Sequence, residues 1–160
     1  MAVTIDVIWE PVGTVHVDTK GRLQFPVVAN CPALYRFWIE TGDERPLVYL
    51  GEASDLRRRL QWYRTPGSRQ PTNVRMNTVL LEALGAGGQV TLWVATAASV
   101  AFGTGRPAGL DLTRKSKRLA AEQAAIVEAL LAEDLADTDG GPPLRPRLLN
   151  RPGVGETPYT

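Results

Sequence analysis

Residues 48–63 constrain the chain more than any other stretch: Val-Tyr-Leu-Gly-Glu-Ala-Ser-Asp-Leu-Arg-Arg-Arg-Leu-Gln-Trp-Tyr. A short apolar run ends at Gly51, and Ser54 stands where a helix N-cap is preferred. The stretch therefore reads as a strand turning directly into a helix over residues 55–63. On that helix Leu56, Leu60 and Tyr63 share a face, and Asp55, Arg59 and Tyr63 follow one another at i,i+4 steps. Arg59 thus stands beside the apolar stripe, while Arg57 and Arg58 point further out. Tyr49 and Tyr63 bracket the basic run with phenols, a pairing suited to phosphodiester chemistry.

Composition bounds what such a stretch can belong to. At 160 residues, 44% hydrophobic and 22% charged, the chain is one globular domain's worth with enough length to bury a core. No apolar run reaches the ~20 residues of a membrane span, and no secretory signal is read, so a cytoplasmic protein without membrane contact is expected. One cysteine (Cys31) and one histidine (His16) rule out a disulfide framework, a Cys/His zinc cluster and any mechanism needing two histidines. Net charge is only +1. Yet Arg57, Arg58, Arg59, Arg64, Arg69 and Arg75 share a window without acids, and Arg114, Lys115, Lys117 and Arg118 form a second cluster. Two such clusters in a near-neutral chain favour an anionic partner, nucleic acid first.

The remaining segments supply the elements. Residues 3–9 alternate as a strand, and residues 14–17 and 22–25 read as a hairpin around Asp18-Thr19-Lys20-Gly21, an appended β element with His16 on its exposed face. Residues 33–40 and 46–50 are strands joined by a short polar loop, hence antiparallel, which puts Tyr35 and Tyr49 on neighbours. A second helix follows Gln70, with Met76, Val79, Leu80, Ala83 and Leu84 at helical spacing and the glycine-rich run from Gly85 to Gly88 as its stop. Residues 90–95 are a third strand. Residues 99–112 read as a flexible loop, since the glycines at 103, 105 and 109 lack a P-loop's Lys-Ser/Thr. The longest helix spans 113–136, its apolar arc defined by Leu119, Ile126, Val127 and Leu130, with Glu122 on the margin and Glu128 opposite. A polar break covers 137–143.

Tyrosine on one strand, Tyr-x-Gly on the next and an arginine ten residues after that tyrosine resemble the GIY-YIG endonuclease superfamily. The signatures are Ala33-Leu34-Tyr35 and Tyr49-Leu50-Gly51, followed by Arg59 and Tyr63. The run Ala-Ser-Asp-Leu-Arg-Arg-Arg-Leu is especially similar to the nuclease domain of the nucleotide-excision-repair endonuclease, and GIY-YIG restriction enzymes are also similar. Glu122 fits the family's metal-binding glutamate and Asn150 its final asparagine. Ala33 replaces a glycine of the first signature, and Glu52 stands where the repair enzymes carry a lysine. The resemblance implies an α+β fold: a small, mainly antiparallel three-stranded sheet flanked by helices over residues 31–150, preceded by a β extension (1–30) and followed by a tail (151–160).

It also implies a metal-dependent DNA endonuclease, in restriction or repair. Glu122 would hold one Mg²⁺ or Mn²⁺, Arg59 the scissile phosphate, and Tyr35 or Tyr49 would serve as base or water-positioning group. Tyr63 would orient the site and Asn150 complete it. An unaided phenol titrates near ~10, so the base role expects Arg59 to lower one. Arg57, Arg58, Arg64, Arg69, Asn73 and Arg75 are the expected DNA contacts. A homodimer is expected if both strands are cut; no other protein partner is identified. The alternative is a catalytically inactive nucleic-acid-binding module on the same fold, and a third reading is an interaction protein whose arginines bridge to acidic helices.

Overall fold

Tyr35, Phe37 and Ile39 alternate with Leu34, Arg36 and Trp38, and an extended chain puts the two sets on opposite faces. A computed structural model, describing residues 1–42, 45–139 and 146–150, builds its central strand from this segment. The elements are β1 (Val3–Thr14), β2 (His16–Val17), β3 (Leu23–Gln24), β4 (Ala33–Glu40), β5 (Leu47–Ala53), α1 (Leu56–Arg64), α2 (Pro71–Gly85), β6 (Gln89–Phe102), β7 (Ala108–Gly109), α3 (Lys115–Asp139) and β8 (Arg147–Leu148). β4 pairs antiparallel with β5 (Tyr35 opposite Gly51) and with β6 (Tyr35 opposite Val94). The sheet order is β1-β6-β4-β5-β8, with β7 also on β6, and β8 is parallel to β5.

Each face of the sheet takes its own helices. Tyr35, Phe37, Ile39, Val90 and Leu92 pack with Leu56, Leu60, Tyr63, Met76 and Leu80 of α1 and α2. On the other face Leu34, Ala95 and Ala98 meet Ala121 of α3, and Val48, Leu50 and Leu148 meet Ala125. Arg36 falls on this second face, where its guanidinium lies 4.8 Å from the Trp9 ring and 4.7 Å from that of Trp93. Sandwiching between indoles is how a charged side chain is accommodated in mid-sheet. The result is a mixed α+β layout, a mainly antiparallel sheet with helices on both faces, as expected from the sequence.

The sheet is wider than three strands. β1 is hydrogen-bonded to β6 over nearly its whole length, with register shifts at Ile8/Glu10 and Pro11/Gly13. The expected 14–25 hairpin is present as the small β2–β3 pair. β6 continues past Ala95 because β1 supplies it with hydrogen-bonding partners, which outweighs the low strand preference of its alanines. Residues 99–112 are therefore only partly a loop: 99–102 continue β6, the chain turns at Gly103 (φ 57°), and β7 returns to pair with Ser99 and Val100, with 103–107 and 110–112 outside the strands.

Two helix details also differ from expectation. Asp55, not Ser54, caps α1, its carboxylate accepting from the Arg58 amide at 3.0 Å. α3 buries Arg118, Ala121, Ala125 and Glu133, while Leu119 and Val127 are 39% and 52% exposed. Small alanines let the helix lie close to the sheet, and each buried charge has a dedicated partner: Arg118 has Glu52, and Glu133 has the Leu148 amide. The helix runs to Asp139, through the start of the break expected at 137; the rest of that break and the tail at 151–160 lie outside the described residues. Among the described residues no helix is long and apolar enough to cross a membrane.

Candidate active site

The register of β4 on β5 brings the Tyr35 ring over Gly51, so closely that a Cβ at position 51 would clash with the ring carbon bearing the hydroxyl. Only glycine leaves that space open, which is the physical content of the Tyr-x-Gly signature here. α1 starts three residues after β5 ends and carries Arg59 and Tyr63 back toward the same ring. Arg59 Nε donates to the Tyr35 hydroxyl at 3.0 Å, and the Tyr35 and Tyr63 hydroxyls share a hydrogen bond of 2.6 Å. The Arg59 guanidinium also lies over the Tyr63 ring at 5.1 Å. Tyr49 stacks on Phe37 and meets Tyr63 edge-on at 6.4 Å.

Burial raises the Tyr35 and Tyr63 phenols above the ordinary phenol range, reinforced by their tyrosine neighbours, and Arg59 does not reverse it. The net lowering by Arg59 that a base role for Tyr35 or Tyr49 expects is not found at Tyr35. Desolvation of a fully buried phenol outweighs one nearby cation; the Tyr35 hydroxyl is instead engaged by Arg59 Nε and by the Tyr63 hydroxyl. Desolvation works against the arginine's own charge, but the surrounding tyrosines more than offset it. Tyr49, 6% exposed against 0% for the other two, is the phenol nearest solvent.

Opposite this cluster stands Glu122 on α3, coupled electrostatically to Arg59 and bonded by the backbone of Glu52. Burial, then the neighbouring Glu52 carboxylate, raises Glu122 above the usual carboxylate range. Glu52 accepts from Arg118 Nε at 2.7 Å, and Arg118 also donates to the carbonyls of Leu112 and Thr113, both at 2.9 Å. Arg118 belongs to the second basic cluster of the sequence, yet it is 3% exposed and ties α3 to the end of β5, one helical turn before Glu122. Nothing in the local sequence pairs positions 52 and 118, so only the fold reveals this contact.

Asn150 reaches β5 from the β8 side. Its Oδ1 accepts from the Leu50 amide at 2.9 Å and its Nδ2 donates to the Leu50 carbonyl at 2.8 Å. The side chain thus extends the ladder where β8 has ended, holding the strand that bears Tyr49 and Gly51. Both ends of its amide are engaged there, which makes it a positioning group.

The six expected nucleic-acid contacts divide. Arg57, Arg58 and Arg69 are exposed. Arg64 is paired with Asp18 at 2.7 Å, fastening α1 to the β2–β3 hairpin. Arg75 donates to the Leu149 carbonyl at 3.2 Å, and Asn73 is buried, its amide donating to Gln70. The basic window is thus partly structural, two of its arginines tying the helices to the hairpin and to the segment after β8. A contact missed from sequence is Trp62, which is 40% exposed and lies under the Arg59 guanidinium at 5.9 Å.

Among the described residues no group of three or more His, Cys, Asp and Glu side chains could hold a metal. Glu122, with Glu52 near it but already bound by Arg118 Nε, is the carboxylate that would meet a hard divalent ion. A half-buried carboxylate destabilised by a like charge gains from a cation, and Mg²⁺ is commonly held by one or two carboxylates with water completing its shell.

No family model and no curated protein matches the chain. Among solved structures it is similar to that of a bacteriophage T4 EndoII mutant, at a TM-score of 0.48 and 16% identity, with 76% of this chain and 86% of that chain covered.

Proposed function

We propose that this chain is a DNA endonuclease that hydrolyses phosphodiester bonds with the help of one divalent cation, Mg²⁺ or Mn²⁺. The observation that carries this reading is Arg59, held by two buried phenols, with the half-buried Glu122 of a different element within electrostatic range of it. Arg59 Nε is held by Tyr35, which leaves the two terminal nitrogens of its fork for a phosphate. A planar, pre-aimed guanidinium then neutralises the charge that grows on the non-bridging oxygens.

Glu122 would hold the ion, which when bound supplies Lewis acidity toward a phosphoryl oxygen and water. Tyr49 orients the attacking water, being the phenol nearest solvent. Water adds to phosphorus, the bond to one ester oxygen breaks, and that oxygen leaves with a proton. Tyr63 keeps Tyr35 and Arg59 in register throughout, and Asn150 holds β5.

The test is incubation with plasmid, branched and single-stranded DNA, in Mg²⁺ or Mn²⁺ against EDTA. Cleavage is expected only with the metal, and Arg59→Ala and Glu122→Ala are each expected to lower its rate by about 10²-fold or more. Full metal-dependent cleavage by either variant overturns the assignment, and affinity without cleavage makes the chain a binding module. Methylated against unmodified DNA, beside branched substrates, separates a restriction role from a repair role.

A further inference from the structure

Among the described residues most aromatic side chains are buried or part-buried; the exposed ones are Phe102 at the far end of β6 and Trp62 beside the candidate site. Trp62 is 40% exposed on α1, three residues after Arg59 and one before the buried Tyr63. Residues three apart on a helix stand on one side, about 5–6 Å between their Cβ atoms. One contact of the indole is with the Arg59 guanidinium, 5.9 Å from its centre. Arg58, four residues before Trp62 and so on the same side, keeps a side chain 69% exposed. An indole left in water forgoes the stabilisation that burial of so large a side chain brings. Here it stands between the arginine that faces the site and an exposed guanidinium.

We propose that Trp62 is a stacking platform for an unpaired nucleobase flanking the cleaved bond. The proposal rests on Arg59 holding the scissile phosphate and adds to it a substrate class: nucleic acid in which a base beside that phosphate is out of the helical stack. An intact duplex covers both faces of every interior base and offers only edges and backbone to an approaching side chain. A single strand, a branch point or an extruded nucleotide offers a free π-face. Indole stacks on any base, so the contact selects structure and not sequence. Arg59 and Trp62 together then read one nucleotide, the first by its phosphate and the second by its base.

A rival role for Trp62 is to steady Arg59 by cation–π attraction, and the two roles differ in what they discriminate. The experiment is a fluorescence-anisotropy titration in EDTA, where nothing is cut, of labelled oligonucleotides of equal length: a blunt duplex, a duplex with one unpaired base, and a single strand. Wild-type protein is expected to prefer the last two. Trp62→Ala is expected to reduce that preference by about 5- to 150-fold, the range that removal of a base–aromatic stack produces, and Trp62→Phe to keep most of it. Quenching of indole fluorescence by the single strand is expected to be weaker in Trp62→Phe than in wild type, since the other indoles remain.

Equal losses for duplex and unpaired ligands in Trp62→Ala, or no loss for either, would overturn the proposal in favour of a positioning or purely solvated indole. The underlying reading fails separately. A Trp62-dependent preference that persists in a protein showing no metal-dependent cleavage refutes the nuclease and not the stack.

Discussion

Arg59 and the two phenols that hold it form a unit in which no member works alone. The Tyr35 hydroxyl meets both the Nε of part-buried Arg59 and the hydroxyl of buried Tyr63. Tyr35→Phe keeps the shape and removes both bonds, leaving both groups short of a partner, so it is expected to lower stability by about 1–3 kcal/mol. Urea unfolding reads the loss, and cleavage should fall further than stability explains because Arg59 is no longer aimed. Glu122 makes a prediction of different sign. Its folded value is raised, so the folded state binds the proton more tightly and loses stability as pH climbs from the ordinary carboxylate value to the raised one. Glu122→Gln is therefore expected to be more stable than wild type at neutral pH, the gain shrinking through that window and vanishing in acid below both values. Melting temperatures measured across the acid range check this; a gain that persists in acid contradicts it.

At the scale of elements, two ties bring separate segments to the end of β5 and a third holds the helix that follows it. Arg118 binds α3 to Glu52, Asn150 continues the β8 ladder onto Leu50, and Arg64 fastens α1 to the hairpin through Asp18. The first lies deepest. Arg118→Ala is expected to destabilise the fold by about 3–5 kcal/mol, because Glu52 is left without its cation and two carbonyls without their donor. Glu52→Gln keeps an acceptor for Arg118 and should cost less. Chemical denaturation of the two variants and their double mutant gives the coupling directly, and a coupling near zero would mean that the ion pair does not organise this end of the site.

For the molecule as a whole, the distribution of exposed charge decides how it meets a polyanion. Of the six residues that the sequence singles out, Arg57, Arg58 and Arg69 are exposed, Arg58 with a loose pairing to Asp55 at 4.0 Å, whereas Arg64 and Arg75 are part-buried against protein partners and Asn73 is inside. Replacing the three exposed arginines by alanine is expected to flatten the log–log dependence of DNA affinity on salt by roughly 3 units, about 0.9 for each phosphate no longer neutralised. Arg64→Ala and Arg75→Ala are expected to leave that slope nearly unchanged. Titrations at several salt concentrations separate the two groups.

Much of this is legible in the chain. The alternation of residues 33–40, the strand–glycine–helix run at 48–63 and the periodicity of residues 71–85 depend on neighbours a few positions apart, and such patterns survive in any fold. Helical phase singles out Arg59, a place on the margin of the long helix singles out Glu122, and the fold brings the two within electrostatic reach. Reading Leu119 and Val127 as the buried arc fails because a helix laid close to a sheet prefers alanine there, which hydropathy alone undervalues. The length of β6 and the pairing of Arg118 with Glu52 both require partners 66 or more residues away, such as β1 for β6, and the return of β7 follows from that length. The charge state of the phenols depends on burial. The sequence by itself determined the strands at 33–40 and 47–53, the helices that follow them and the candidate residues for the chemistry, because those follow from local sterics and side-chain type. Only the tertiary structure decided which charges are buried, paired or open, because desolvation is a property of everything packed around a group.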